Sequence, residues 1–170
     1  RQGIGMNPEN RREHGLLKQM SVYENLILPQ LEGLSRMGFV RGKAAARHVV
    51  SAIGRLSIRA ASHTQSVATL SGGNQQKVSV GKWFGLPAAL WIFDEPTQGI
   101  DVDAKRELYD IMGHLAQQGA AVWFISSDLR ELLAIADRLY VMKDRTIAGE
   151  TRPPYDADAV LGMMMGETTA

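Results

Sequence analysis

An α/β protein built on a parallel sheet is the fold class that the sequence predicts, and three features predict it. Two short apolar runs, Ala89-Leu90-Trp91-Ile92-Phe93 and Ala121-Val122-Trp123-Phe124-Ile125, read as strands buried on both faces. Each is followed by a helical pattern opening on an aspartate that can cap it, Asp101 and Asp128. The connections are short, so strand, helix, strand, helix and strand alternate as parallel packing requires.

The elements follow in order. Ile4-Gly5-Met6 reads as a short strand that exits into the polar loop Asn7 to Arg12, because Pro8 pushes Asn7 out of the helical region. Ser21 and Glu24 spell a capping box for a short helix that Pro29 ends. Between Gly42 and Leu56, the residues Ala45, Val49, Ile53 and Leu56 recur at three- and four-residue steps. That is an amphipathic helix with a basic outer face, fronted by Arg41, Lys43 and Arg47. Residues 13–70 are thus mostly helical, with loops around Gly33 to Gly38 and Ala60 to Ser66. Ser71 can cap a further helix whose first turn holds Gly73, Asn74 and Gln75. Asp101 caps a helix to about Gln118, with Leu108, Ile111, Met112 and Leu115 on one side. Asp128 and Glu131 spell a second capping box, ahead of Leu129, Leu132, Leu133 and Ala136. Leu139 to Met142 reads as a third strand, and Lys143-Asp144-Arg145 as a turn into Thr146 to Gly149. A last helix is predicted over Asp156 to Met165.

Composition narrows the function classes. The 170 residues are 45% hydrophobic and 22% charged, which is ordinary globular composition and excludes wholesale disorder. Nineteen Lys plus Arg against eighteen Asp plus Glu leave a formal charge of +1, so no bulk field selects nucleic acid. There is no cysteine, which removes disulfides and thiolate chemistry together. No apolar run approaches the roughly 18 residues of a membrane helix. The chain opens at Arg1, within an apparent strand, so a piece of a longer protein is expected. The four histidines are scattered without metal-ligand spacing, and Met163-Met164-Met165 reads as a packing helix end.

Four short motifs can carry chemistry. Asp94 and Glu95 directly follow a buried strand, and ligands of open α/β sheets gather at strand carboxyl ends. One carboxylate there can hold Mg²⁺, usually through water, while its neighbour addresses an attacking water. Acidic residues that merely end a strand at the surface are the plainer alternative. In Leu70-Ser71-Gly72-Gly73-Asn74-Gln75-Gln76-Lys77, a capped helix start presents unpaired N–H groups that attract phosphate, and the glycines permit close approach. An ordinary glycine-rich turn fits the same letters. Gly99-Ile100-Asp101 and Ile125-Ser126-Ser127-Asp128 each pass alone for a turn or a cap.

Their order and spacing together resemble the nucleotide-binding domain of ATP-binding cassette (ABC) transporters over nearly the whole chain. Leu70 to Lys77 resembles the signature motif, and Leu90 to Glu95 a Walker B strand with its glutamate. Gly99-Ile100-Asp101 falls where that family has its D-loop, and Ser126-Ser127 where it has the switch loop. Asn74-Gln75-Gln76-Lys77, the run Glu95 to Val102 and the opening Met6 to Arg12 are similar to one branch. That branch is the second ATPase half of the bacterial ribose, galactose or xylose importers.

The resemblance implies a partial P-loop NTPase (RecA-like) parallel sheet with an ABC helical subdomain, lacking the Walker A part. Residues 1–12 would end a core strand and enter the Q-loop region, and 13–84 would form the helical subdomain. Residues 85–150 would be the catalytic core, and 151–170 a C-terminal extension. It implies ATP and Mg²⁺ as ligands, Asp94 toward the metal and Glu95 as the base. Ser71, Gly72, Gly73, Asn74 and Gln75 would face a nucleotide held by an opposite cassette, with Asp101 crossing between the two. Implied partners are a second nucleotide-binding domain, a membrane permease and, indirectly, a periplasmic sugar-binding protein, with no nucleic acid. The implied location is peripheral, on the cytoplasmic face of the bacterial inner membrane. Three departures accompany it. No G-x-x-x-x-G-K-[ST] occurs anywhere, so the chain alone is expected to be inactive. Ser127 replaces the family's usual histidine, and Glu9 the usual glutamine. A degenerate cassette that only donates its signature motif, and a non-transport ABC ATPase, are the alternatives.

Overall fold

The computed structural model describes residues 3–10, 14–86 and 88–166. Arg1 of the predicted opening, Arg11 and Arg12 of the predicted loop, and Pro87 lie outside the described residues. The chain divides into two compact units, Arg1–Ile125 and Ser126–Ala170.

The first unit is organised by a three-stranded sheet of β1 (Ile4–Asn7), β4 (Leu90–Asp94) and β5 (Ala121–Ile125), ordered β1-β4-β5. Both pairings are parallel, with Gly5 opposite Trp91 and Trp91 opposite Val122. Strand β4 takes the centre, and Trp91 and Phe93 are buried there as their apolar run predicts. Trp91 lies across Gly5, where a β-carbon would sit 2.8 Å from the indole ring. Strand β5 departs from expectation, because Ala121, Trp123 and Ile125 are exposed. Among the described residues it pairs with β4, and Val122 and Phe124 turn toward the core.

The helical block comprises α1 (Val22–Ile27), α2 (Leu31–Leu34), α3 (Gly42–Arg55) and α4 (Gly72–Gly81). The capping box forms as spelled: the Ser21 hydroxyl accepts from the Glu24 N–H, and Glu24 accepts from the Ser21 N–H at 2.7 Å. Helix α1 ends before Pro29, which starts a single 3-10 turn leading into α2. Helix α3 buries Ala45, Val49 and Ala52 and turns its basic face outward. The predicted loop at Gly33 to Gly38 is instead the end of α2 and a small hairpin, β2 (Ser35–Arg36) with β3 (Phe39–Val40). Met37 and Gly38 both adopt positive φ, 52° and 82°, the requirement of a tight two-residue hairpin turn. The Arg41 guanidinium closes the hairpin's root by donating to the Gly33 carbonyl at 2.8 Å. One core runs from α1, α3 and α4 through Trp91 and Phe93 to Leu108, Ile111, Met112 and Leu115 of α5 (Val102–Gln117).

The second unit holds α6 (Leu129–Ile135), the hairpin β6 (Leu139–Lys143) and β7 (Thr146–Thr151), and α7 (Ala157–Met165). Its core is Leu139, Val141 and Val160, packed with Leu129, Leu132, Leu133, Tyr155 and Met163. The predicted third strand forms and pairs antiparallel with β7 across the hairpin turn read at Lys143-Asp144-Arg145; among the described residues no parallel strand pairs with it. Asp144 and Arg145, both at positive φ, close that hairpin locally. The second capping box does not form as spelled. Asp128 accepts from the Arg130 N–H, and the Glu131 carboxylate accepts from the Ser126 hydroxyl instead. Met163 packs as expected, whereas Met164 and Met165 are exposed.

The Ser21 backbone and hydroxyl donors hold the Glu24 carboxyl below its ordinary value. A lowered folded value means stabilisation present at neutral pH and lost as pH falls through that value. Ser21→Ala should therefore lower the melting temperature at pH 7, and the deficit should shrink toward pH 3 (about one unit below the free Glu value). Thermal melts of both proteins across that range check it.

Candidate functional site

Three parallel strands deliver their carboxyl ends to one rim. Asn7 is level with Phe93, and Asp94 with Ile125. Asp94 is the last residue of β4, and the Glu95 N–H extends the ladder by donating to the Ile125 carbonyl at 3.0 Å. The chain then turns sharply: Glu95 has φ 42°, and its carbonyl accepts from the Gln98 N–H at 3.2 Å. A glutamate at positive φ, ahead of a proline, costs on the order of 1–3 kcal/mol. Pro96 and Thr97, both buried, hold it there. The turn separates the neighbouring carboxylates, leaving Asp94 in strand geometry while Glu95 leaves the rim in another direction. Both are half-buried.

Two helices start together beside this turn. Ser71 caps α4, its hydroxyl accepting from the Asn74 side-chain amide at 2.9 Å and the Asn74 N–H at 3.4 Å. Asp101 caps α5, accepting from the Ala104 N–H at 2.8 Å. A β-carbon on Gly73 would lie 2.7 Å from that of Ala104, so the first turns of the two helices are in contact. One turn further, the buried Lys77 pairs with Glu107 and donates to the Ser57 carbonyl at 3.0 Å. The helices thus run side by side in one direction, with their amino ends at one place. Each end carries roughly half a positive charge; the Asp101 carboxylate offsets one, and neutral Ser71 leaves the other for an outside anion.

The predicted site residues separate on this frame. Ser71 is exposed, Gly72 and Asn74 are half-buried, and Gly73 is buried where the first turns of α4 and α5 meet. Gln75 turns inward, where its amide donates to the Leu70 carbonyl at 3.1 Å. Asp101 is exposed at the start of α5, and Glu9 is exposed two residues beyond the end of β1. Ser127 is exposed in the second unit, next to Ser126, whose hydroxyl accepts from the Asp128 N–H at 3.0 Å.

Sequence reasoning missed Arg59. Its backbone N–H donates to the Asn74 side chain at 2.7 Å, and with Ser71, Asn74, Gln65 and Thr69 it lines an open concavity of about 450 Å³. Only the fold brings it there, fifteen residues from Asn74. Asn7 was also missed: both its amide atoms are buried without a partner among the described residues. A polar residue at the end of an apolar strand was the available signal. Among the described residues no three His, Cys, Asp or Glu side chains cluster as a metal cage. Asp94 fits a Mg²⁺ shared with phosphate oxygens and water, the usual coordination of that ion.

Strand ends gathered at one rim and two capped helix starts in contact make the candidate site of an α/β domain. The ABC transporter family model matches residues 1–98, and the chain belongs to that family. It is 41% identical, over 98% of its length, to the ribose import ATP-binding protein RbsA of Streptococcus agalactiae serotype Ia. The RbsA proteins of Geobacillus kaustophilus and Bacillus subtilis are 46% and 43% identical over 84% and 88% of the chain. The chain covers 34%, 29% and 30% of those three proteins, about a third of the length of the curated relatives it matches. In fold it is similar to a dimeric post-hydrolysis state of the ATP-binding cassette MJ0796 bound to ADP and Pi. That similarity has TM-score 0.72 at 19% identity and covers 88% of this chain and 62% of the other.

If the Gly73–Ala104 contact sets the helix spacing, Gly73→Ala should cost about 1–3 kcal/mol of stability through overpacking. Adding Ala104→Gly should restore most of the loss. Urea-denaturation midpoints of the single and double variants test this, and an unrescued double variant contradicts it.

Proposed function

We propose that this chain is the signature-bearing part of an ATP-hydrolysing cassette that drives carbohydrate import. It corresponds to the second ATPase half of a ribose-, galactose- or xylose-type importer subunit. The single observation that carries the reading is the open amino end of α4, with Ser71 exposed and its first turn packed on the start of α5. The identity to ribose import proteins over nearly the full chain supports the carbohydrate class.

In this reading Glu95 polarises the water that attacks the γ-phosphate, a role worth about 10² to 10⁴ in rate for a positioned base. Mg²⁺, held at Asp94 through water, supplies Lewis-acid polarisation of the phosphate oxygens when bound. Ser71, Gly72 and the free N–H groups of the α4 first turn meet the γ-phosphate of a nucleotide bound by a second cassette. Asn74 holds the Ser71 hydroxyl in place. Asp101 crosses toward that second cassette and couples the two sites. The helical block docks on a membrane permease at the cytoplasmic face of the inner membrane, and a periplasmic sugar-binding protein delivers the solute. Glu9 and Ser127 stand where a donor and an imidazole are usual, which favours a second reading in which this cassette only donates its signature helix.

The test uses the full polypeptide with its permease. Glu95→Gln should lower ATP turnover by about 10² to 10⁴ while nucleotide binding persists. Ser71→Arg should block turnover by filling the α4 amino end without displacing nucleotide from the home site. If Glu95→Gln leaves turnover intact while Ser71→Arg abolishes it, the donor reading replaces the catalytic one.

A further inference from the structure

The chain's near-neutral total hides a charge segregation. From residue 33 to residue 93 there are eight Lys and Arg and not one Asp or Glu. Two of the eight are withdrawn from the surface: Lys77 is buried against Glu107, and Lys82 is half-buried and donates to the Gly15 carbonyl. Arg55 lies over the Phe84 ring, 5.2 Å from its centre. Of the remaining five, all exposed, Arg59 lies beside Asn74, and Arg36, Arg41, Lys43 and Arg47 gather at the β2–β3 hairpin and the start of α3. Glu32, also exposed, precedes the run and is the nearest acid in the chain.

The hairpin between these cations is capped by apolar side chains. Met37, in its turn, is 91% exposed, and Phe39, opposite Arg36 across the pair, is 80% exposed. On α3, Lys43, Arg47 and Val50 follow at i, i+4 and i+7, one outward stripe, and Val50 is 70% exposed. The other face of that helix is the buried Ala45, Val49 and Ala52. No folding requirement places Met37 and Phe39 in water, because neither contributes to the core.

We propose that the β2–β3 hairpin and the outer stripe of α3 form a bilayer contact that takes anionic phospholipid. The Met37 and Phe39 side chains enter the headgroup boundary, and Arg36, Arg41, Lys43 and Arg47 engage the lipid phosphates. The occupant follows from shape and charge. A two-residue turn is a narrow convex tip, which buries little area against a rigid protein but inserts into a fluid interface that closes around it. An apolar tip with cations in its own hairpin and on the helix that follows complements an anionic lipid surface. The proposal rests on the membrane-side reading above and gives it a lipid class.

The experiment is vesicle flotation of the full polypeptide, without permease, on phosphatidylcholine alone and on phosphatidylcholine doped with phosphatidylglycerol. Flotation with the anionic vesicles only, weakened by raising salt as the Debye length shrinks, is the expected result. Arg36→Glu, Lys43→Glu and Arg47→Glu should each lower partitioning by about fivefold or more. Met37→Asp with Phe39→Asp should abolish it, while the melting temperature stays unchanged because neither side chain is in the core. These 170 residues hold no cysteine, so Met37→Cys, in a full polypeptide cleared of any cysteine elsewhere, places a single thiol at the hairpin tip. An environment-sensitive fluorophore on it should shift to the blue with anionic vesicles and not with neutral ones. Failure to float, or flotation that survives the Met37 and Phe39 double variant, overturns the proposal. Loss of permease co-purification in the Arg36, Lys43 and Arg47 variants without any vesicle binding also overturns it, in favour of an acidic protein partner. ATP turnover is read separately. A protein that floats but does not hydrolyse keeps the lipid contact and loses the motor reading, and one that hydrolyses but never floats does the reverse.

Discussion

Gly73 and Ala104 approach so closely that the glycine has no room for a side chain, and much of the candidate site depends on this contact. It lets α4 and α5 begin side by side, so two positive helix ends share one small region. Left alone, such ends repel. The Asp101 carboxylate caps one of them, and the Lys77–Glu107 pair one turn along ties the two helices together. The remaining amino end, capped only by a neutral hydroxyl, keeps an unmet preference for an anion. A packing constraint thereby becomes a binding property.

The rim beside it shows a similar exchange. A glutamate at positive φ ahead of a proline is unfavourable by an amount comparable to one buried hydrophobic side chain. Phe93 and Pro96, both fully buried, flank that position and supply the offset. The strain persists because the core on either side leaves the chain no relaxed path, and its effect is to send Glu95 away from the strand direction kept by Asp94. A carboxylate held this way has its direction fixed in advance by the backbone.

Features written within a few residues were legible. The Ser21–Glu24 box, the single-residue caps at Ser71 and Asp101, and the hairpin at Asp144-Arg145 all depend on local spacing, and all form. Asp128 and Glu131 spell the same box as Ser21 and Glu24, yet Glu131 bonds Ser126 instead. Nearby competition for a side chain is invisible to a spacing rule. The run Ala121 to Ile125 is legible as a strand from its apolar composition, while its pairing is set by the sheet: among the described residues it lies against β4, with Trp123 and Ile125 exposed.

By itself the sequence determined the strands of the parallel sheet and of the β6–β7 hairpin, the caps at Ser21, Ser71 and Asp101, the acids at the end of β4 and the family to which their order belongs. These are short-range patterns, and the chemistry of a few adjacent residues decides them. Only the tertiary structure decided the fate of α4. Its letters, Gly72 to Gly81, are polar enough to suggest a surface helix, but Gln75, Gln76, Lys77 and Ser79 are buried among α1, α3 and α5. The physical reason is that glycines at both ends remove the bulk that would hold neighbours away: Gly73 admits Ala104, and Gly81 admits Leu56 and Leu26. Buried everywhere but at its amino end, the helix can offer a ligand only that end, and no reading of its residues in isolation specifies this.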